Sequence, residues 1–310
     1  MAPTYKIALI QIKQKDAAVK ENYAKAESYI RDAAAQGADL AVLPEYHLTS
    51  WCPEHPDFVS ATIESASYVS RYQDLARELG INIVPGTICD VSSPSGEGEG
   101  EKEMRNMAYW ISSDGSIAGS YQKKNLWHPE RPHLAAGVQE PHAAFETPLT
   151  KGDGKKIKAG LLICWDLAFP EAFRALIADG ADVIVIPSWW HLTDVDDEAF
   201  GMNPMCERAF LEAAVVTRAY ENTAAVVFCN AGGLSQVAMP ILGAVGGVME
   251  AMDPSEGAGD GKGEGMKIVE VDFGVLQVAE RNYKVRADMG SQGWHYGYTL
   301  WKGAAEKGDK

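Results

Sequence analysis

Ala159-Gly160-Leu161-Leu162-Ile163-Cys164-Trp165-Asp166-Leu167-Ala168-Phe169-Pro170-Glu171 is the stretch on which the reading of the chain turns. Its first five residues are small or branched and apolar, the pattern of a central strand buried on both faces. Pro170, Glu171 and the Ala/Phe/Arg/Leu pattern that follows read as the first turn of a helix. Cys164 stands at the junction. A thiol there lies near unsatisfied backbone N–H groups, which favour a thiolate and are able to hold an oxyanion. Free cysteine is also among the most buried residue types and commonly packs as a small hydrophobe. On position alone, the core reading is the stronger of the two.

Outward from this junction the chain alternates strands with helices. Residues 5–11 read as a strand, 16–36 as a charged, Ala-rich helix stopped by Gly37, and 41–43 as a short buried strand ending at Pro44-Glu45. A second amphipathic helix is predicted over 65–79, then a strand over 81–84. A β-hairpin of 107–111 and 116–122 turns at Asp114-Gly115. Residues 183–187 form a further buried strand, 204–221 a helix, and 224–228 a strand ending at Cys229-Asn230. This rhythm is that of a layered α/β protein whose sites gather at strand ends. The Ser, Gly and Glu-rich stretches 91–103 and 254–265 read as exposed hairpin loops rather than linkers. No repeat or domain boundary is visible, so residues 1–310 are taken as one domain.

Composition narrows the function. With 310 residues, 46% apolar and 23% charged, the chain has the make-up of a soluble globular protein and excludes a disordered one. A net charge of −15 argues against a nucleic-acid partner or an anionic membrane, and a small neutral or cationic ligand fits better. Cys52, Cys89, Cys164, Cys206 and Cys229 are odd in number and scattered, without CxxC spacing, which speaks against a disulfide scaffold or a zinc knuckle. The first thirteen residues lack a signal-peptide layout and no apolar run reaches spanning length, so a reducing, cytoplasmic setting is expected. His128 and His133 form no HExxH or i,i+4 pair, and no metal is expected.

Three strand-end or turn segments carry complementary chemistry: Leu43-Pro44-Glu45, Tyr121-Gln122-Lys123-Lys124-Asn125-Leu126, and Ile163-Cys164-Trp165-Asp166. A thiol attacking an amide-like carbon needs a base that takes its proton and returns it to the departing nitrogen. A carboxylate in a partly dry pocket does both. The oxyanion needs a buried ammonium or backbone N–H groups. Singly, Glu45 reads as a helix N-terminal charge and Lys123 or Lys124 as a solvated hairpin residue. Jointly, Glu, Lys and Cys suffice for acyl transfer without histidine.

With these three motifs in order, the chain resembles the nitrilase, or carbon–nitrogen hydrolase, superfamily. Leu43-Pro44-Glu45 is similar to its general-base motif, Tyr121-x-Lys123-x-x-Leu126 to its lysine motif, and Cys164-x-Asp166-x-x-Phe169-Pro170-Glu171 to its nucleophile elbow. Arg218-Ala219-x-Glu221-Asn222, the strand ending at Asn230 and Gly233-x-Ser235 also match, whereas 236–247 fits only loosely. Arg281 to Asp288 resembles the family's closing strand segment. The resemblance implies Cys164 as nucleophile, Glu45 as general base and acid, and Lys123 with the Trp165 N–H as oxyanion stabiliser. Lys123 is preferred to Lys124 by its spacing from Tyr121 and Leu126, and Lys124 then points to the other face. Glu130 resembles the second glutamate that orients lysine and substrate; its other reading is a surface carboxylate paired with Arg131.

Departures from the pattern pull in two directions. Trp165 and His128-Pro129-Glu130-Arg131 lean toward nitrilases. Asp166 with Phe169-Pro170-Glu171, and the Thr49-Ser50 turn after Glu45, lean toward amidases and carbamoyl hydrolases, which the nucleophile's own neighbourhood favours. Tyr46, Trp51, Trp127, Trp165, Trp189, Trp190 and His191 are candidates for the substrate wall, or else for core or subunit contacts. The implied fold is a four-layer α-β-β-α sandwich with two mixed sheets. A homodimer or larger homo-oligomer is implied, with the tail from about residue 289 extending to a partner subunit. The implied activity is cofactor-free hydrolysis of a small amide or N-carbamoyl compound through a Cys thioester. A nitrile substrate and a catalytically silent binding protein are the alternatives.

Overall fold

The computed structural model describes residues 3–92, 103–252 and 263–291. The chain runs β1 (Thr4–Gln11), α1 (Val19–Ala35), β2 (Leu40–Val42), α2 (Phe58–Ala66), α3 (Tyr68–Leu79), β3 (Asn82–Val84), β4 (Thr87–Ser92), β5 (Glu103–Ile111) and β6 (Ile117–Gln122). It continues through β7 (Phe145–Thr150), β8 (Lys156–Leu161), α4 (Pro170–Ala178), β9 (Val183–Ser188), α5 (Asp197–Met202) and α6 (Cys206–Asn222). It closes with β10 (Ala225–Asn230), β11 (Gln236–Met239), β12 (Gly243–Val245), β13 (Gly265–Asp272), α7 (Gly274–Tyr283) and α8 (Val285–Met289).

Two mixed sheets result. The first runs β13-β1-β2-β3-β5-β4 with β6 paired to β5, and the second runs β12-β11-β10-β9-β8-β7. In each, three central strands are parallel, β1-β2-β3 and β8-β9-β10, and antiparallel strands flank them. Period-two alternation sorts the side chains into layers. Ile7 and Leu9 of β1 pack into the core between the sheets, together with Val42, Trp110, Leu161, Val185 and Phe228. Ala8 and Ile10 face the other way, onto Tyr23, Ala26 and Ile30 of α1 and Tyr72, Leu75 and Ala76 of α3. The same buried cluster continues past the second sheet to Phe173 and Leu176 of α4 and Leu211 and Val215 of α6, which cover its other face. The order is therefore helix, sheet, sheet, helix. Each fully buried Leu, Ile, Val or Phe contributes about 1.5–3 kcal/mol.

Two expectations need correction. The single helix over 65–79 is two helices, α2 and α3, meeting at Ser67, and it starts earlier because Phe58, Ala61, Thr62 and Ser65 form a buried stripe of their own. Arg281 to Asp288 is not a strand: it lies in α7 and α8, which break at Lys284 with φ 52°. Leu276 and Ala279 recur at helical spacing there, and the closing strand is β13, antiparallel to β1 over its whole length. A 3₁₀ turn over Cys164–Ala168 fills the thiol junction, and α4 opens at Pro170 as the sequence indicates. In the 91–103 loop Ser92 pairs antiparallel with Glu103, as a hairpin requires; residues 93–102 lie outside the described residues. So do 253–262, most of the second loop, and the tail beyond 291.

One glycine fixes the approach to Glu45. Gly86 follows β3 with φ +78°, and a Cβ there would stand 2.1 Å from the Pro44 carbonyl oxygen. Gly86→Ala is expected to cost about 1–3 kcal/mol through left-handed strain and to push Pro44 and Glu45 out of place. Thermal melts and turnover check this: activity should fall well below the melting transition. Unchanged activity in a folded variant would show that the contact does not position Glu45.

Candidate active site

The two sheets contribute different halves of the site. From the first come Glu45, just past β2, Asn106 in β5 and Lys123, just past β6. From the second come Cys164 past β8 and Ser188, the last residue of β9. Glu45 bridges them, because its N–H donates to the Ser188 carbonyl at 3.3 Å while its Oε2 accepts the Trp189 N–H at 2.8 Å.

Lys123 is 1% exposed and sits between two buried carboxylates. Its Nζ donates to Glu45 Oε1 at 2.9 Å and to Glu130 Oε1 at 2.6 Å. Asn106 Nδ2 also donates to Glu45 Oε1, at 2.8 Å. Glu130 is held by the Tyr46 hydroxyl at 2.5 Å and by the Trp127 N–H at 2.8 Å. It is a buried partner of Lys123, not a surface carboxylate paired with Arg131. Lys124 leaves the site, and its Nζ donates to the carbonyls of Gly137 and Glu140.

Cys164 is buried at the start of its turn with φ 45°. A non-glycine residue pays for that left-handed backbone, and the turn is held from below by Asp166. Asp166 Oδ2 accepts the Ile163 N–H and the Tyr121 hydroxyl, both at 2.9 Å; Oδ1 accepts Asn125 Nδ2 at 2.7 Å and the Asn125 N–H at 3.1 Å. One carboxylate thus ties the thiol's turn to the segment carrying Lys123. Burial raises the Asp166 pKa, against the pull of these hydrogen bonds.

Electrostatics assign protons. Burial raises the Glu45 pKa, the Lys123 ammonium opposes it and Glu130 adds to it. Burial works against the Lys123 ammonium, but Glu45, Cys164 and Glu130 outweigh it and hold its pKa above that of an ordinary lysine. Burial and Glu45 push the Cys164 thiol well above its usual value, and Lys123 opposes them. Neighbouring N–H groups favour a thiolate, and in this site burial and the Glu45 carboxylate work against it.

Lys123, Glu130 and Cys164 open onto a cavity of about 730 Å³. Tyr46, Trp51, Trp127, Trp165, Trp189 and Trp190 line it, and His191 is outside the lining. Trp165 and Trp190 have centroids 5.2 Å apart, and Trp190 continues the wall to Phe210 at 5.4 Å. Glu45, 0% exposed, stands behind this surface. Asp194 and Glu207 also line the cavity. Burial raises the Asp194 pKa to about 7, with Glu207 adding to it and the His191 N–H opposing. Among the described residues no cluster of His, Cys, Asp and Glu is gathered for a metal ion, and no helix is long and apolar enough to cross a membrane.

The family description "Carbon-nitrogen hydrolase" matches residues 6–246. The chain belongs to the carbon–nitrogen hydrolase family. This carbon–nitrogen hydrolase is 26% identical over 285 residues to a probable nitrilase of Schizosaccharomyces pombe, covering 89% of this chain and 92% of that one. It is 26% identical over 295 residues to an (R)-stereoselective amidase of a Pseudomonas species, covering 91% and 90%. Nit3 of Saccharomyces cerevisiae, a member of the nitrilase superfamily, shares the fold at a TM-score of 0.69 and 20% identity over 93% of this chain and 96% of that one.

Sequence reasoning missed several residues of the hydrolase's site. Asn106 is polar on an inward position of the alternating strand β5, and that misplaced polarity was the available signal. Ser188 follows four apolar residues and Pro187 in a strand buried throughout. Glu207 and Phe210 lie on α6, and nothing local in the sequence directs them to a cavity shared with Cys164.

Proposed function

We propose that this hydrolase cleaves the C–N bond of a small amide or N-carbamoyl compound, with Cys164 as nucleophile, Glu45 as proton carrier and Lys123 as oxyanion partner. The observation that carries the reading is the position of Lys123 Nζ, 2.9 Å from Glu45 and 2.6 Å from Glu130, at the floor of the cavity that Cys164 also lines. Sγ bonds to the substrate carbon as its proton passes to Glu45, and the oxyanion forms beside Lys123 and the Trp165 N–H. Glu45 then protonates the nitrogen, the C–N bond breaks and a thioester remains. A water that gives its proton to Glu45 cleaves the thioester, returning the acid and the thiol. Glu130 keeps the ammonium aimed between the carboxylates. The aromatic wall suits a flat or apolar acyl group.

Intact mass measurement after incubation with pooled amides, carbamoyl compounds and nitriles tests this. An acyl adduct is expected on the wild type and not on Cys164→Ala, with amides or carbamoyl compounds as its source. Ammonia release from nitriles alone selects the nitrilase reading. Absence of any adduct or product selects a silent binding protein. An adduct on Cys52 or Cys206 removes Cys164 from its role.

A further inference from the structure

Ser188 is fully buried at the end of β9. Its backbone is engaged: the carbonyl accepts the Glu45 N–H at 3.3 Å and the Ala231 N–H at 3.0 Å. Its side chain is not. Among the described residues no group makes an aligned hydrogen bond to Oγ. This hydroxyl lies close enough to the Cys164 thiol to favour its charged form. A buried hydroxyl without a partner costs free energy that alanine at the same position would not. The orphan therefore calls for a state in which it is bonded.

The reacting sulfur supplies that state. A thiol has one proton to donate, and in the proposed reaction its acceptor is Glu45. Once Glu45 has taken it, Sγ is an anion that only accepts. The charged groups facing Cys164 are Glu45, Lys123 and Glu130. Two of them repel the new charge, and the ammonium is already divided between them. The Ser188 O–H is the neutral donor left at the same strand end.

We infer that the Ser188 hydroxyl donates a hydrogen bond to the Cys164 thiolate as it forms, making Ser188 a positioning residue that holds Sγ for attack. No bond to Ser188 is made or broken: the proton travels from Sγ to Glu45, and the hydroxyl rotates to the sulfur. The inference rests on Cys164 being the nucleophile and is independent of whether the substrate is an amide, a carbamoyl compound or a nitrile.

The test is the rate of Cys164 alkylation by iodoacetamide across pH, mapped by peptide mass, in wild type, Ser188→Ala and Ser188→Thr. In Ser188→Ala, alkylation at neutral pH is expected to slow about tenfold, with its rising limb displaced about one pH unit upward. The melting temperature should be unchanged or higher, because the lost hydroxyl had no partner, and Ser188→Thr should restore the rate. A merely structural serine would give the opposite pairing, a lower melting temperature. Overlaying profiles for wild type and Ser188→Ala overturn the inference, as does a slower rate accompanied by a lower melting temperature. Should Ser188→Thr not fold, the alanine profile and melt decide alone. If Cys164 is not the thiol labelled in the wild type, the nucleophile assignment fails, which is a separate result from overlaying profiles on a labelled Cys164.

Discussion

Lys123→Met is expected to abolish turnover and to destabilise the protein in a pH-dependent way. Methionine fills most of the volume but leaves Glu45 and Glu130 facing each other in a dry pocket without the ammonium that both bind at 2.9 and 2.6 Å. Removing one partner of a buried ion pair costs about 3–5 kcal/mol. Loss of the oxyanion partner lowers the rate by about 10²–10³-fold or more. The pH dependence follows from burial, which already raises the Glu45 pKa while Lys123 opposes it. Without the lysine the folded-state value rises further above the unfolded one. A carboxyl with a raised folded pKa contributes stability below its unfolded value and loses it as pH climbs through the folded value. The variant should therefore melt far below wild type at neutral pH, and the gap should narrow on acidification. Melting curves across pH check this, and a gap that is constant or widens in acid would refute the charge assignment.

Glu45→Gln keeps the shape of the side chain and removes its ability to carry a proton. Turnover is expected to fall by about 10²–10⁴-fold, in formation of the thioester and in its hydrolysis, because one carboxylate serves both steps. Thiol reactivity toward a simple alkylating agent should survive, since iodide leaves without a proton. Its onset should move to lower pH: the Glu45 carboxylate is one cause of the raised Cys164 pKa, and the amide removes that repulsion. Single-turnover kinetics and an alkylation profile separate the two effects. A variant that hydrolyses within a few-fold of wild type would show that another group carries the proton.

Much of the architecture was legible in the chain. Strands β1 and β9 are largely apolar and end on the polar residues Gln11 and Ser188, and Glu45, just past β2, meets the end of β9 at Ser188. The family resemblance, through the motif's spacing from Tyr121 and Leu126, separated Lys123 from Lys124, and the structure places the two amines in different surroundings. The break between α2 and α3 was not legible, because Ser67 carries no helix-stopping signal and its αR backbone continues the local geometry. Nor was the upward push on the Cys164 pKa, which comes from burial and from Glu45, a residue far away in sequence. Asp166 illustrates the limit. The sequence offered it as a mark of family branch, whereas in the fold it accepts four hydrogen bonds from three residues.

The Glu45 bridge to Ser188 and Trp189 has a consequence for how the chain acquires activity. With the proposed roles, base and ammonium belong to one sheet and the thiol to the other, so neither sheet alone holds a working set. A half-assembled chain would have a sulfur without its proton acceptor, or an acceptor without its sulfur. Hydrolysis thus begins only when the two sheets have closed on each other, and chemistry becomes a proofreader of docking: a molecule that turns over substrate has already passed the last step of its own assembly.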